Sequence, residues 1–181
     1  SYFDVDYWEG KTADNGEVVE SITMHEYFRN MGVIQASILT TVFDETGRPV
    51  NRKNTLDIYT QDLFYGIGDF NYYIATNTAM KVPLVVVDKE GKAKSGVDAK
   101  IQVIKHEYQT VLNKSGSYYR YESNKVEKKL IDKTISLNGE AIFNYTPTIS
   151  GEYEIRVYNP DVNGKYVSQY FYAYGYGRTY L

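Results

Sequence analysis

Between Val82 and Tyr174 the chain is a succession of short strand-like runs, the first β-branched and several of the others alternating apolar and polar residues at every second position, most of them bounded by a turn. Alternation of that period builds strands with one buried and one solvated face, not helices. Val82-Pro83-Leu84-Val85-Val86-Val87 ends at Asp88-Lys89-Glu90-Gly91, where the glycine supplies a positive φ. Ala99 to Lys105 follows with Ile101 and Val103 on one face. Ser117 to Tyr121 is rich in aromatics. Val126 to Leu137 runs into Asn138-Gly139, the strongest two-residue hairpin signal in the chain, and then Ala141 to Tyr145 is closed by Pro147. Gly151 to Tyr158 sets Tyr153, Ile155 and Val157 on one face and charges on the other, and Tyr166 to Tyr174 is the last strand. With Tyr72 to Ala75 this predicts seven or eight strands in about 110 residues, the count and spacing of a β-sandwich.

The first 62 residues read differently. Tyr2 to Trp8 is a candidate strand and Ala13 to Gly16 a turn. Val18 to Met31 fits either a strand or a short helix. Val33 to Phe43 predicts a strand that turns at Asp44-Glu45-Thr46-Gly47 into Thr55 to Thr60. These are too few strands for a sandwich of their own. Val42 to Arg48 resembles Val86 to Lys92. The simpler reading is one turn chemistry used twice, the sharper one two copies of a module. A boundary is expected near Tyr65-Gly66-Ile67-Gly68-Asp69, where two glycines interrupt the pattern.

Composition excludes several function classes. With 181 residues the chain can bury roughly 70% of its unfolded surface, so folding needs neither disulfide nor metal. There is no cysteine, hence no thiol chemistry and no thiolate metal site. The net charge is −3, and the densest cationic stretch, Lys125 to Lys129, contains Glu127 and reads as a solvated strand face. No nucleic-acid partner is expected, because phosphate neutralisation needs clustered Lys and Arg. No apolar run approaches the ~18 residues of a bilayer span, so no direct membrane insertion is expected. The chain opens on Ser1-Tyr2 without a leader pattern, which leaves room for an upstream export signal.

Catalytic constellations are missing. The two histidines lie in His25-Glu26-Tyr27 and His106-Glu107-Tyr108, and the positions four residues on hold Arg29 and Thr110, so the zinc-protease helix pattern fails. Each histidine reads as a polar strand residue. Ser115-Gly116 and Ser150-Gly151 are turn dipeptides, and nothing places Asp4 and Asp6, or Asp57 and Asp62, across a cleft. Asp4-Val5-Asp6 and Asp161-Val162-Asn163-Gly164 offer oxygen ligands but lack the calcium-loop pattern, and the turn reading is preferred. Gly175-Tyr176-Gly177 opens no helix. No enzyme activity, cofactor or metal is expected. Twenty tyrosines remain, and Tyr118, Tyr119 and Tyr121, or Tyr170, Tyr172 and Tyr174, are the candidate aromatic contact surface for sugar or protein. The alternative for each set is that one face packs in the core and the other shields a sheet edge.

Four stretches, taken in order, resemble the macroglobulin-type domains of bacterial alpha-2-macroglobulins. They are Leu56-Asp57-Ile58-Tyr59 leading to Phe64-Tyr65-Gly66-Ile67; the opening Val87-Asp88-Lys89-Glu90-Gly91-Lys92 turn with Val97; Val103 to Tyr108 with Tyr118-Tyr119-Arg120-Tyr121-Glu122; and Gly139 to Phe143, Ser150 to Tyr153 and Tyr172 to Gly177. The resemblance covers residues 33–181 and is strongest after 64. It implies an all-β, immunoglobulin- or fibronectin-like macroglobulin sandwich over 67–181, preceded over 1–66 by the C-terminal part of another such domain. It implies a framework fragment of an exported, protease-trapping inhibitor of the periplasm or cell envelope, lipid-anchored upstream in some members. Its partners would be the neighbouring domains of the parent and, through the parent, the target proteases. Members that hold their prey covalently use a Cys–Gln thioester, which a chain without cysteine does not contain. A face left uncovered at the boundary would favour dimerisation. The alternative is a glycan- or protein-binding sandwich of a bacterial surface protein.

Overall fold

A computed structural model describes residues 7–116, 118–162 and 165–175, and among these the chain is almost entirely β. Ten strands follow in order: β1 (Val33–Phe43), β2 (Pro49–Tyr59), β3 (Leu63–Ile67), β4 (Tyr73–Ala75), β5 (Met80–Asp88), β6 (Ser95–Ser115), β7 (Tyr118–Asn138), β8 (Glu140–Tyr145), β9 (Gly151–Tyr158) and β10 (Val167–Tyr174). β3 to β10 form a sandwich. One layer is β3-β5-β8 and the other is β7-β6-β9-β10-β4, and the two are joined where Asn138 pairs with Glu140.

That junction corrects one expectation. Asn138-Gly139 does not close a hairpin: β8 pairs with β5 over Met80–Val85, and its only partner on β7 is Asn138. The dipeptide is a corner by which the chain leaves one layer for the other. Gly139 sits at φ +81, donates to the Lys94 carbonyl and accepts from the Val86 amide, so its backbone groups are spent on the β5–β6 link and on β5. A hairpin signal reports only that the backbone reverses, and the strand that receives it is chosen by packing.

The core lies between the layers, and the alternation decides its membership. Ile101 and Val103 of β6 and Tyr153, Ile155 and Val157 of β9 are buried on the faces read from the sequence, and Val82, Leu84 and Val86 of the β-branched run in β5 are buried with them. Burial of each such side chain contributes about 1.5–3 kcal/mol. Tyr153 stacks on Phe171 at 4.9 Å between centroids and donates its hydroxyl to the Ile149 carbonyl at 2.6 Å, the tyrosine corner that stitches a loop to a sandwich.

The region before β3 forms no second sandwich. β1 and β2 pair only with each other, from Val33↔Tyr59 to Phe43↔Pro49, and are exposed over most of their length. β2 begins at Pro49, earlier than the expected Thr55. Val18 to Met31 contains neither strand nor α-helix but one 3-10 turn, Glu26–Phe28, whose leading His25 accepts from the Tyr27 amide through Nδ1. Tyr7 and Trp8 are not in a strand, and the rest of the expected strand, 2–6, lies outside the described residues.

The resemblance of Val42–Arg48 to Val86–Lys92 is turn chemistry. Asp44 accepts from the Thr46 and Arg48 amides as Asp88 accepts from Glu90 and Lys92, and Gly47 and Gly91 both sit at φ +78. The strands that follow diverge, since β2 folds back along β1 whereas β6 crosses to the other layer.

Candidate interaction surface

The outer face of the β7-β6-β9-β10-β4 layer carries the chemistry of the domain. Register puts His106 of β6 beside Glu127 of β7 and Glu152 of β9, and Glu154 and Arg156 of β9 beside Tyr170 and Ser168 of β10. The sequence marks this face as solvated. The structure buries Glu154 and His106 at 1% and 4% exposure.

The burial is made tolerable by pairing. Arg156 donates through Nη2 to Glu127 Oε1 at 2.6 Å and to Glu154 Oε2 at 2.7 Å, and His106 Nε2 meets the same Glu154 oxygen at 3.1 Å. Tyr170 stacks over the His106 ring at 5.6 Å, the Arg156 guanidinium lies over Tyr166, and Lys125 lies over Tyr170. These rings form the roof that excludes water. Burial pushes the Glu154 carboxyl up, but Arg156, Ser168 and His106 together hold it below its ordinary value. Hydrogen bonding to Arg156 likewise lowers Glu127, and the two carboxylates raise Arg156.

His106, Glu127 and Glu154 bring three ligand atoms within 4.8 Å of one another. Arg156 already supplies a cation to both carboxylates, so a metal would have to displace a side chain fixed by two charge-assisted bonds. The arrangement is a closed ion-pair network. The Glu154/Arg156 spacing of two residues on one strand face was the sequence signal for it, and alternation alone hid it.

The sequence-selected tyrosines all lie at the surface. Tyr170, Tyr172 and Tyr174 line the outer face of β10 at 43–48% exposure. Tyr73 of β4, which the sequence did not single out, stacks on Tyr174 at 4.6 Å and on Tyr172 at 5.7 Å, with interplanar angles of 19° and 13°. Their ring faces therefore engage one another. Tyr118, Tyr119 and Tyr121 lie apart, on the distal half of the β6–β7 hairpin, at 82%, 65% and 75% exposure.

The remaining candidates are not drawn together. Asp57 accepts from Gln35 on the β1–β2 ribbon, and Asp62 is exposed beside β3. Asp161 lies in a turn in which its amide donates to the Asn159 side chain, while Asn163, Gly164, Tyr176 and Gly177 lie outside the described residues, as do Asp4 and Asp6. Gly151 opens β9. An open groove of about 880 Å³ lies between the β2–β3 link and the β9–β10 turn, lined by Arg29, Tyr59, Phe64, Tyr158 and Lys165 among others. Among the described residues no helix is long and apolar enough to cross a membrane.

A family model described as bacterial macroglobulin domain 6 matches residues 67–176. Three solved structures share the fold. Salmonella alpha-2-macroglobulin reacted with methylamine aligns at 17% identity and TM-score 0.53, over 78% of this chain and 10% of that one. Escherichia coli alpha-2-macroglobulin in its native conformation aligns at 16% and 0.52, over 78% and 10%. The same Escherichia coli protein activated by porcine elastase aligns at 18% and 0.53, over 81% and 13%. This chain thus spans about a tenth of the length of the proteins it matches. No curated protein sequence matches it.

Proposed function

This chain belongs to the bacterial macroglobulin domain 6 family, and from that premise we propose that it is a framework piece of a protease-trapping, alpha-2-macroglobulin-like inhibitor. The observation that carries the reading is the family match over residues 67–176, which takes in β4 to β10. In this reading residues 67–181, together with the edge strand β3 that begins at Leu63, make up a macroglobulin-type domain. The residues before β3, with the bare β1–β2 ribbon, are the end of the domain before it. The parent is exported to the periplasm or cell envelope, and the role of this piece is mechanical rather than catalytic: a rigid sandwich that holds its neighbours in place. Two features support that role, the ion-pair network whose His106 and Glu154 are buried on the outer face and the tyrosine corner that ties the β8–β9 loop to the core.

The test is a caging assay on the longer protein. After reaction with an active protease, a small peptide substrate should still be cut while a large protein substrate is spared. Equal cutting of both, across several protease classes, would remove the reading.

The exposed tyrosines favour a second reading, a binding module for glycan or protein. Their geometry narrows it. Sugars stack on open ring faces, and Tyr73 takes up one face each of Tyr172 and Tyr174, which reduces the platform left for a sugar. Calorimetric titration of the chain with oligosaccharides separates the two, with no heat of binding expected.

A further inference from the structure

The β6–β7 hairpin outruns its sandwich. β9 accompanies β6 only as far as His106↔Glu152, so the nine residues on each strand beyond that point, 107–115 and 118–126, pair with nothing but each other. At about 3.3 Å per residue this arm projects about 30 Å. A two-stranded ribbon bare on both faces is marginal in water.

The two faces of the arm differ. Register puts Tyr108 with Lys125, Leu112 with Tyr121, and Lys114 with Tyr119 on the face that continues the outer face of the sandwich. Tyr108 joins the two by donating to Glu152. The opposite face is more polar, with Glu107, Gln109, Asn113, Arg120, Glu122 and Asn124 around Val111, Tyr118 and Val126. Charge is segregated too: the arm carries Lys114, Arg120 and Lys125 against Glu107 and Glu122, a net +1 in a chain of −3, with Lys114 and Lys125 on the outer face and both carboxylates on the opposite one.

We propose that the Tyr108/Leu112/Tyr121/Tyr119 face of this arm docks against another domain of the same protein, on a surface that is apolar and carries carboxylates. The proposal rests on the framework reading above. Three observations choose that occupant. The relatives are about eight times as long as this chain, which leaves room for such domains. The aromatic stripe is continuous with the outer face of the sandwich, so one broad protein surface covers both. Lys114, near the tip of the stripe, asks for a carboxylate and disfavours a second copy of the arm, which repeats the same charge, whereas Lys125 at its base already faces Glu152 at 3.9 Å.

Hydrogen exchange tests it on the 181-residue chain and on the longer protein that carries it. Peptides covering 107–126 should exchange about tenfold more slowly or better in the longer protein, while peptides covering 80–88 and 151–158 match in the two. Leu112→Glu with Lys114→Glu should restore the fast rate, and Gln109→Glu with Asn113→Glu on the opposite face should not. Equal exchange of the arm in both proteins overturns the proposal. So does slowing that depends on the concentration of the short chain, which identifies a second copy, or slowing seen only with phosphatidylglycerol vesicles, which identifies a lipid surface. A longer protein that cages proteases while its arm exchanges freely sinks the docking alone. A protected arm in a protein that cages nothing sinks the trapping alone.

Discussion

The His106 imidazole meets the Glu154 carboxylate at 3.1 Å on the face of the sheet that alternation assigns to solvent. A buried ion pair adds little net stability when intact, but removing one member strands the others in a dry site. Glu154→Ala leaves Arg156 and His106 without their shared acceptor and should cost about 3–5 kcal/mol in denaturant unfolding. Glu152→Ala, two residues away on the same face and partly exposed, should cost about 1 kcal/mol or less. Equal effects would mean that the network is solvated.

The network also sets an acid limit. Glu154 and Glu127 are held below the ordinary carboxylate value of 4.5, so in the folded state they bind protons less readily than in the unfolded state. Their contribution is present in full above that value and is lost as pH falls through the lowered one. Thermal midpoints should be flat from pH 7 to about 5 and then drop, and Glu154→Gln should flatten that drop.

Gly139 turns the corner between layers at φ +81, and a Cβ there would lie 3.2 Å from Ala93 Cβ. Gly139→Ala should cost about 1–2 kcal/mol, from left-handed backbone strain plus a tight contact. Chemical denaturation reads it directly.

Tyr153 makes two separable contributions. Tyr153→Phe removes only the hydrogen bond to the Ile149 carbonyl and should cost about 1 kcal/mol. Tyr153→Ala also removes the ring from Phe171 and Tyr145 and should cost about 3–5 kcal/mol. A similar cost for both would mean that the ring packs loosely.

Much of the fold is legible in the residues because burial enforces period two. Ile101 and Val103, or Tyr153, Ile155 and Val157, alternate with polar residues on an extended backbone, and the phase of each run names its core residues in advance. The glycine turns at Gly47 and Gly91 are equally local, since an aspartate three residues before a positive-φ glycine closes its own turn wherever it lies.

The long-range choices belong to the tertiary structure. Alternation names a face but not its cover, so Glu154 reads as solvated until Arg156, Tyr166 and Tyr170 are folded over it. Gly139 reads as a hairpin until β5, not β7, is found beside β8. The Tyr73 stack joins strands about a hundred residues apart, and no local pattern encodes a parallel pairing of that separation. The sequence by itself determined which residues are strand, which point inward and where the chain turns, because those follow from backbone geometry and solvation over a few residues. Only the tertiary structure decided which strands pair, where the β6–β7 arm leaves the sheet and which charges are dried and joined, because those depend on competition among distant surfaces for the same partners.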